Sequence, residues 1–115
     1  NMVTSANDPT AHAEIVAIRN ACKAAGDFSL EGCEIYTSCE PCPMCLSAIY
    51  WARIGKIYYA NSRHDAAEIG FDDAEIYEEV TRPLHAREVP IEQIADEEAG
   101  AVFRAWLEKE DRIED

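Results

Sequence analysis

The sequence lacks a long hydrophobic run, an internal repeat and a low-complexity segment. No stretch of its 115 residues is long and apolar enough to span a membrane, which excludes a transmembrane role for this chain. It also lacks a signal-peptide pattern, and its five cysteines are an odd number, so a reducing, cytoplasmic compartment is expected. The length allows one domain at most, and we therefore expect a single domain over residues 1–115.

Basic residues are scarce. The chain has 10 Lys and Arg against 23 Asp and Glu, and residues 65–115 hold 17 of the acidic and 5 of the basic ones, a net charge of −12. A phosphate-binding surface needs clustered Lys and Arg, and Arg53, Lys56 and Arg63 make only a thin patch. The acidic half is interpreted as a solvated surface. The charge balance disfavours a nucleic acid substrate and favours a small, free one.

Two short motifs carry chemistry. The segment Pro9–Glu14 contains H-x-E, and Pro41–Cys45 reads P-C-x-x-C. One imidazole and two thiolates can hold Zn²⁺ while the fourth position stays open for water. The candidate metal ligands are therefore His12, Cys42 and Cys45. The carboxylate of Glu14, two positions after the imidazole, is left free to move protons.

Local sequence around these residues predicts two helix starts. Cys42 and Cys45 share one face of a helix whose start is marked by proline, and the helix dipole there favours thiolates. His12 is expected in the first turn of another helix, with Asp8 as its N-cap and Pro9 as its first residue.

Simpler interpretations exist for single cysteines. A lone C-x-x-C is also typical of a redox pair or half of a structural zinc site, but a second C-x-x-C or an H-x₃-H that would close such a site is absent. Cys39 extends the spacing to C-x-x-C-x-x-C. We expect it at a strand end, as a packed thiol near the metal and not as a ligand. Cys22 and Cys33 are interpreted as small buried residues.

Hydrophobic periodicity and turn residues predict alternating strands and helices. The expected helices cover residues 9–25 (with Gly26 as the stop), 43–53, a short 73–80, and an amphipathic 97–109. The expected strands cover residues 33–37, 56–60 and an edge strand at 88–91, which Pro90 weakens. The strand–helix–strand order around residues 33–60 predicts a βαβ unit with a parallel pair.

With these motifs in place, nearly the whole chain resembles the cytidine-deaminase-like superfamily, and within it the bacterial guanine deaminases. H-x-E followed by P-C-x-x-C is the signature of zinc-dependent nucleobase deaminases, including those that act on tRNA adenosine. More specific signals are Thr37-Ser38-Cys39, Tyr50-Trp51-Ala52-Arg53 and residues 65–73. The resemblance implies an α/β fold with three αβα layers and a mixed central sheet.

The resemblance also implies roles for individual residues. His12, Cys42 and Cys45 match the Zn²⁺ ligands, and Glu14 matches the proton shuttle. Three further matches are Asn1 to an asparagine that hydrogen-bonds the purine, Asp73 to a second acidic catalytic residue, and Trp51 to an aromatic near the substrate. Core packing is an alternative for Trp51, and a helix N-cap is an alternative for Asp73.

The implied activity is hydrolytic deamination of a free purine base, guanine to xanthine and ammonia, by an enzyme that is commonly a homodimer. The open alternatives are deamination of tRNA adenosine, cytosine or an aminated triazine, and a zinc-binding interaction module without activity. The chain begins at Asn1, whereas family members carry a helix and a strand pair before this point. The resemblance therefore implies a deaminase domain that is incomplete at its N-terminus.

Overall fold

The structure is a computed structural model that describes all 115 residues. The helices are α1 (Val3–Ala6), α2 (Ala13–Ala25), α3 (Pro43–Trp51), α4 (Arg63–Glu68), α5 (Ala74–Glu79) and α6 (Asp96–Glu108), with one 3₁₀ turn at Leu84–Ala86. The strands are β1 (Glu34–Cys39) and β2 (Lys56–Asn61). The chain forms two compact units, residues 1–78 and 79–115. No helix is long and apolar enough to cross a membrane.

The centre of the first unit is a β1–α3–β2 unit with parallel strands. Ile35 pairs with Ile57, and Cys39 pairs with Asn61 at the far end of the ladder. The predicted parallel pair is confirmed, and each observed strand runs one or two residues past the predicted end. Because β1 runs to Cys39, it delivers the chain directly to the Pro41–Cys45 segment.

Residues of α3 and β1 form a small apolar core with α2. Ile49 of α3 is 2% exposed and Cys45 of the same helix is fully buried, and both belong to a core with Ile15 of α2 and Ile35 of β1. The other buried residues of this unit are Ala11, Leu30, Pro41, Pro43 and Ala52. The prediction that Cys22 and Cys33 are buried is wrong for Cys33, which is exposed just before β1, while Cys22 is half-buried.

Helix α2 ends where the sequence predicts. Gly26 adopts the left-handed conformation at φ 64°, which costs glycine little because it has no Cβ. Its backbone N–H donates to the carbonyls of Cys22 and Lys23 and so closes the last turn of the helix.

The second unit contains α6 and little other regular structure. Helix α6 confirms the predicted amphipathic helix, and the side chains of its apolar stripe are exposed: Ala99, Val102, Phe103, Trp106 and Leu107. The predicted edge strand at residues 88–91 is wrong. The backbone N–H of Glu88 donates to the Glu79 carboxylate at 3.3 Å, and Pro90 has no N–H, so two of the donors a ladder would need are absent.

Candidate metal centre

His12 is the residue immediately before α2 and is not part of the helix. The predicted helix start at Pro9, with Asp8 as the N-cap, is wrong. The Asp8 carboxylate instead accepts hydrogen bonds from the backbone N–H and the hydroxyl of Thr10, at 2.9 and 2.7 Å, and closes a turn. The first helical residue is Ala13, and His12 is the N-cap with extended backbone.

Cys42 has the same position relative to α3. It is the N-cap, Pro43 opens the helix, and Cys45 lies in the first turn, fully buried. Proline is favoured at this position because its fixed φ suits the helix and its missing N–H would have no partner there. The predicted helix is confirmed, and it ends at Trp51, two residues before the predicted end.

The two helix starts bring three ligand atoms together. The Nδ1 atom of His12 lies 3.6 Å from the Sγ of Cys42 and 3.6 Å from the Sγ of Cys45. All three atoms lie within 4.8 Å of one another. Tetrahedral zinc with Zn–S of about 2.3 Å and Zn–N of about 2.05 Å requires N···S separations of about 3.6 Å. The donor set and its spacing therefore fit Zn²⁺.

The pKa values of the two thiols are shifted in opposite directions. The Cys45 thiol donates a hydrogen bond to the Cys42 sulfur, which lowers the pKa of Cys42. The backbone amides of Cys45 and Met44 and the side chain of His12 lower this pKa as well, and it reaches about 5. The same hydrogen bond, with burial and the Glu14 carboxylate, raises the pKa of Cys45. A thiolate is the form that binds a metal, so Cys42 is prepared as a ligand.

Glu14 lies beside this group without belonging to it. It is the second residue of α2 and half-buried, and its carboxylate is one of the groups that raise the pKa of the Cys45 thiol. It is not part of the group His12, Cys42 and Cys45. The Glu14 carboxylate thus acts on the buried Cys45 thiol while remaining outside the ligand group.

Cys39 lies at the end of β1, as expected, half-buried and outside the ligand group. Burial raises the pKa of its thiol, and the carboxylates of Asp73 and Glu14 raise this pKa further. Two carboxylates that are 59 positions apart in sequence therefore act on one thiol. The Asp73 charge thus acts on a thiol at the end of β1, three residues before the ligand Cys42.

Asp73 does not cap α5 with its side chain. The carboxylate that accepts the backbone N–H of Ala74, at 2.9 Å, belongs to Asp72. The backbone carbonyl of Asp73 accepts the N–H groups of Ile76 and Tyr77. Its carboxylate is thus left for other partners.

Asn1 and Trp51 are not members of the ligand group. The Asn1 side chain accepts the Val3 backbone N–H at 2.9 Å at the start of α1. Trp51 is 68% exposed, which excludes core packing for it in this chain. It lies six residues after Cys45, about 9 Å along the axis of α3, in a shallow groove with Leu46, Ser47 and Tyr50.

Sequence reasoning missed a cluster that borders the centre. The Tyr77 hydroxyl donates to the carbonyl of Pro41 at 2.6 Å, and the Arg63 guanidinium lies 4.5 Å from the centroid of the Tyr77 ring. Burial raises the pKa of Tyr77, as do the charges of Asp73 and Glu40. The available signal was weak: Tyr77 is four residues after Asp73 on the predicted helix 73–80, and such residues share a face.

The His–Cys–Cys centre, together with the similarities described next, defines a zinc-dependent hydrolase of carbon–nitrogen bonds in cyclic amidines. The chain belongs to the cytidine and deoxycytidylate deaminase family, whose zinc-binding region matches residues 1–61. The metal cofactor of this family is Zn²⁺, and the predicted α/β, cytidine-deaminase-like fold class is confirmed.

Relatives of two different activities are similar to the chain. It is 55% identical to a guanine deaminase of Bacillus subtilis over 106 residues, which is 92% of this chain and 68% of the relative. The X-ray structure of the guanine deaminase from Bacillus subtilis superposes with a TM-score of 0.93 at 52% identity, covering 97% of this chain and 71% of that one. A tRNA-specific adenosine deaminase of Agrobacterium fabrum is 51% identical, over 51% of this chain and 39% of its own length.

Proposed function

We propose that this chain carries out zinc-dependent hydrolytic deamination of a free purine base, converting guanine and water to xanthine and ammonia. The observation that carries the proposal is the similarity to a guanine deaminase, which extends over 92% of the chain. The match to tRNA-specific adenosine deaminases of similar identity covers about half of it. The similarity to guanine deaminase thus extends past residue 61, into the region of Asp73.

In the proposed site His12, Cys42 and Cys45 hold the metal, and the fourth position is left for water. Bound zinc supplies Lewis acidity, which lowers the pKa of water at that position to about 7. Glu14, beside the ligands but not one of them, is placed to accept a proton from the attacking water.

The proton then has to reach the substrate. As the water oxygen attacks C2 of guanine, Glu14 passes the proton to a ring nitrogen. Glu14 then takes the proton of the new C2 hydroxyl and, assisted by Asp73, delivers it to the amino group; the C2–N bond breaks, the C2 carbonyl of xanthine forms, and ammonia leaves. The position of Asp73 near Cys39, on which Glu14 also acts, supports this assignment. Asn1 and Trp51 are proposed as substrate-binding residues on the resemblance alone.

The surface charge favours a small substrate over a nucleic acid. Three basic residues near the centre in sequence each lie over an aromatic ring: Arg53 over Phe28, Lys56 over Tyr58 and Arg63 over Tyr77. They are therefore held against the protein itself. We further propose that residues 1–115 act as one deaminase domain, that the enzyme is a cytoplasmic homodimer, and that it serves purine breakdown.

A second candidate is deamination of tRNA adenosine, favoured by the similarity of about half the chain to tRNA-specific adenosine deaminases. Ammonia release by the zinc-loaded protein separates the candidates when guanine, adenine, cytosine and a tRNA anticodon stem-loop are offered in parallel. We expect release from guanine only, and none from the Glu14→Gln variant. Release from the stem-loop or from cytosine would overturn the substrate assignment. Zinc binding without release from any of the four would support a module without activity.

A further inference from the structure

Tyr77 connects two parts of the first unit. Its hydroxyl donates a 2.6 Å hydrogen bond to the carbonyl of Pro41, the buried residue immediately before the ligand Cys42. Its backbone N–H donates to the carbonyl of Asp73 at 3.2 Å. Tyr77 therefore links the loop before the ligand Cys42 to Asp73.

Helix α5 contributes no fully buried residue to the first unit. It has six residues, and the Tyr77 side chain is half-buried. Such a short helix is marginal without tertiary contacts. The contact of the Tyr77 side chain therefore contributes to the position of α5 and of Asp73 at its start.

A second set of contacts fixes the Tyr77 ring. The Arg63 guanidinium lies over the ring at 4.5 Å, and the backbone N–H of Arg63 donates to the Glu40 carboxylate at 3.3 Å. The backbone N–H of Glu40 donates to Asn61 at the end of β2, at 2.8 Å. The ring is thus packed against the start of α4, while its hydroxyl reaches the loop after β1.

We propose, building on the function proposed above, that Tyr77 is a positioning residue for deamination: its hydrogen bond to the Pro41 carbonyl holds the Asp73 carboxylate beside the metal centre. Tyr77 itself touches neither substrate nor metal in this role. Misplacing a catalytic group by about 1 Å can reduce the rate by about a hundredfold, so a hydrogen bond that sets this distance matters for turnover.

The test is the Tyr77→Phe variant, which removes the hydroxyl and keeps the ring under Arg63. We expect kcat on guanine to fall about ten- to a hundredfold, with KM, zinc content and melting temperature nearly unchanged. In the Asp73→Asn background Tyr77→Phe should lower kcat almost no further, because the carboxylate that Tyr77 positions is already absent. Tyr59→Phe, at an exposed tyrosine of β2, is the matched control and should behave like the wild type.

A second readout needs neither substrate nor turnover. The Asp73 charge raises the pKa of the Cys39 thiol, together with burial, Glu14 and Glu40. Alkylation of Cys39 is measured over a pH series by mass spectrometry of its peptide. In Asp73→Asn the pH at which alkylation is half-maximal should therefore be lower than in the wild type. If the Asp73 carboxylate moves away in Tyr77→Phe, the Cys39 alkylation profile of that variant should also move to lower pH. The Cys39 profile of Tyr59→Phe should match that of the wild type.

The two readouts separate the failure of this proposal from failure of the proposed function. An unchanged Cys39 profile in Tyr77→Phe, additive losses in the double variant, or loss of zinc along with activity would each overturn the positioning role. If Asp73→Asn deaminates guanine normally, the catalytic assignment of Asp73 fails. The link from Tyr77 to Asp73 is then still decided by the thiol profile.

Discussion

His12 and Cys42 are each the N-cap of the helix that follows, and the Nδ1 of one lies 3.6 Å from the Sγ of the other. Two helix starts therefore converge on one point. The backbone N–H groups of first turns and the positive ends of helix dipoles favour negative charge. This environment stabilises the thiolate form of Cys42 before any metal binds.

Removing one ligand should remove the metal. We expect Cys42→Ala to lose bound zinc and to melt at a markedly lower temperature, because metal affinity is coupled to folding. Cys39→Ala is the matched control, since Cys39 lies nearby but outside the ligand group. Metal analysis and thermal unfolding check both. Zinc retained in Cys42→Ala, or lost in Cys39→Ala, would contradict the assigned ligand set.

Glu14→Gln should separate metal binding from catalysis. The variant keeps the size of the side chain but cannot accept a proton, so we expect kcat to fall by about 10²–10⁴-fold with zinc still bound. Steady-state ammonia release and zinc content are the measurements. Near-normal turnover would rule out Glu14 as the proton shuttle.

Asp72 and Asp73 form a natural pair of variants. The Asp72 carboxylate accepts the Ala74 N–H, so Asp72→Asn should lower stability slightly and leave the rate unchanged. Asp73→Asn should lower kcat and leave the melting temperature nearly unchanged, because its carboxylate does not cap the helix. The opposite pattern in kinetics and thermal unfolding would make Asp73 a structural residue.

The start of α4 predicts a pH dependence of stability. The Asp65 carboxylate accepts hydrogen bonds from the backbone N–H and the hydroxyl of Ser62, and these lower its pKa. The folded state therefore binds the Asp65 proton less readily than the unfolded state does. The resulting stabilisation is present above the unfolded pKa of about 4 and is lost as pH falls through the lower folded pKa.

Denaturation curves of wild type and Asp65→Asn should therefore differ above about pH 4 and converge at lower pH. The exposed Glu34, substituted as Glu34→Gln, serves as the control for removing one acidic charge. A difference between wild type and Asp65→Asn that persists unchanged below about pH 3 would show that the side-chain amide itself, and not the lost carboxylate, alters stability.

Much of the metal centre was predictable because its chemistry depends on residue type and short spacing. His12, Cys42, Cys45 and Glu14 lie together as the two motifs predict. The helix start at Pro9 was predicted wrongly because an Asp–Pro–Thr sequence suits both an N-cap and a tight turn, and the Asp8–Thr10 hydrogen bonds form the turn.

Long-range contacts were harder to predict. Nothing in the spacing of Pro41 and Tyr77 indicates that they touch, because 36 residues separate them and the contact depends on how α5 packs. The strand predicted at residues 88–91 failed for a similar reason, since a side chain outside the segment, Glu79, takes the Glu88 N–H. Local patterns carry no information on such competition for backbone donors.

The pairing of Cys39 with Asn61 has a consequence for sequence change in this family. The hydrogen bonds from Leu30 to Ala52 and from Gly55 to Cys33 fix the length of the turn that leads from α3 into β2. Deleting one residue there would slide β2 by one position, turn each of its side chains to the opposite face, and carry Ser62 and Arg63 away from Glu40. Substitutions in this turn should therefore be tolerated more readily than insertions or deletions.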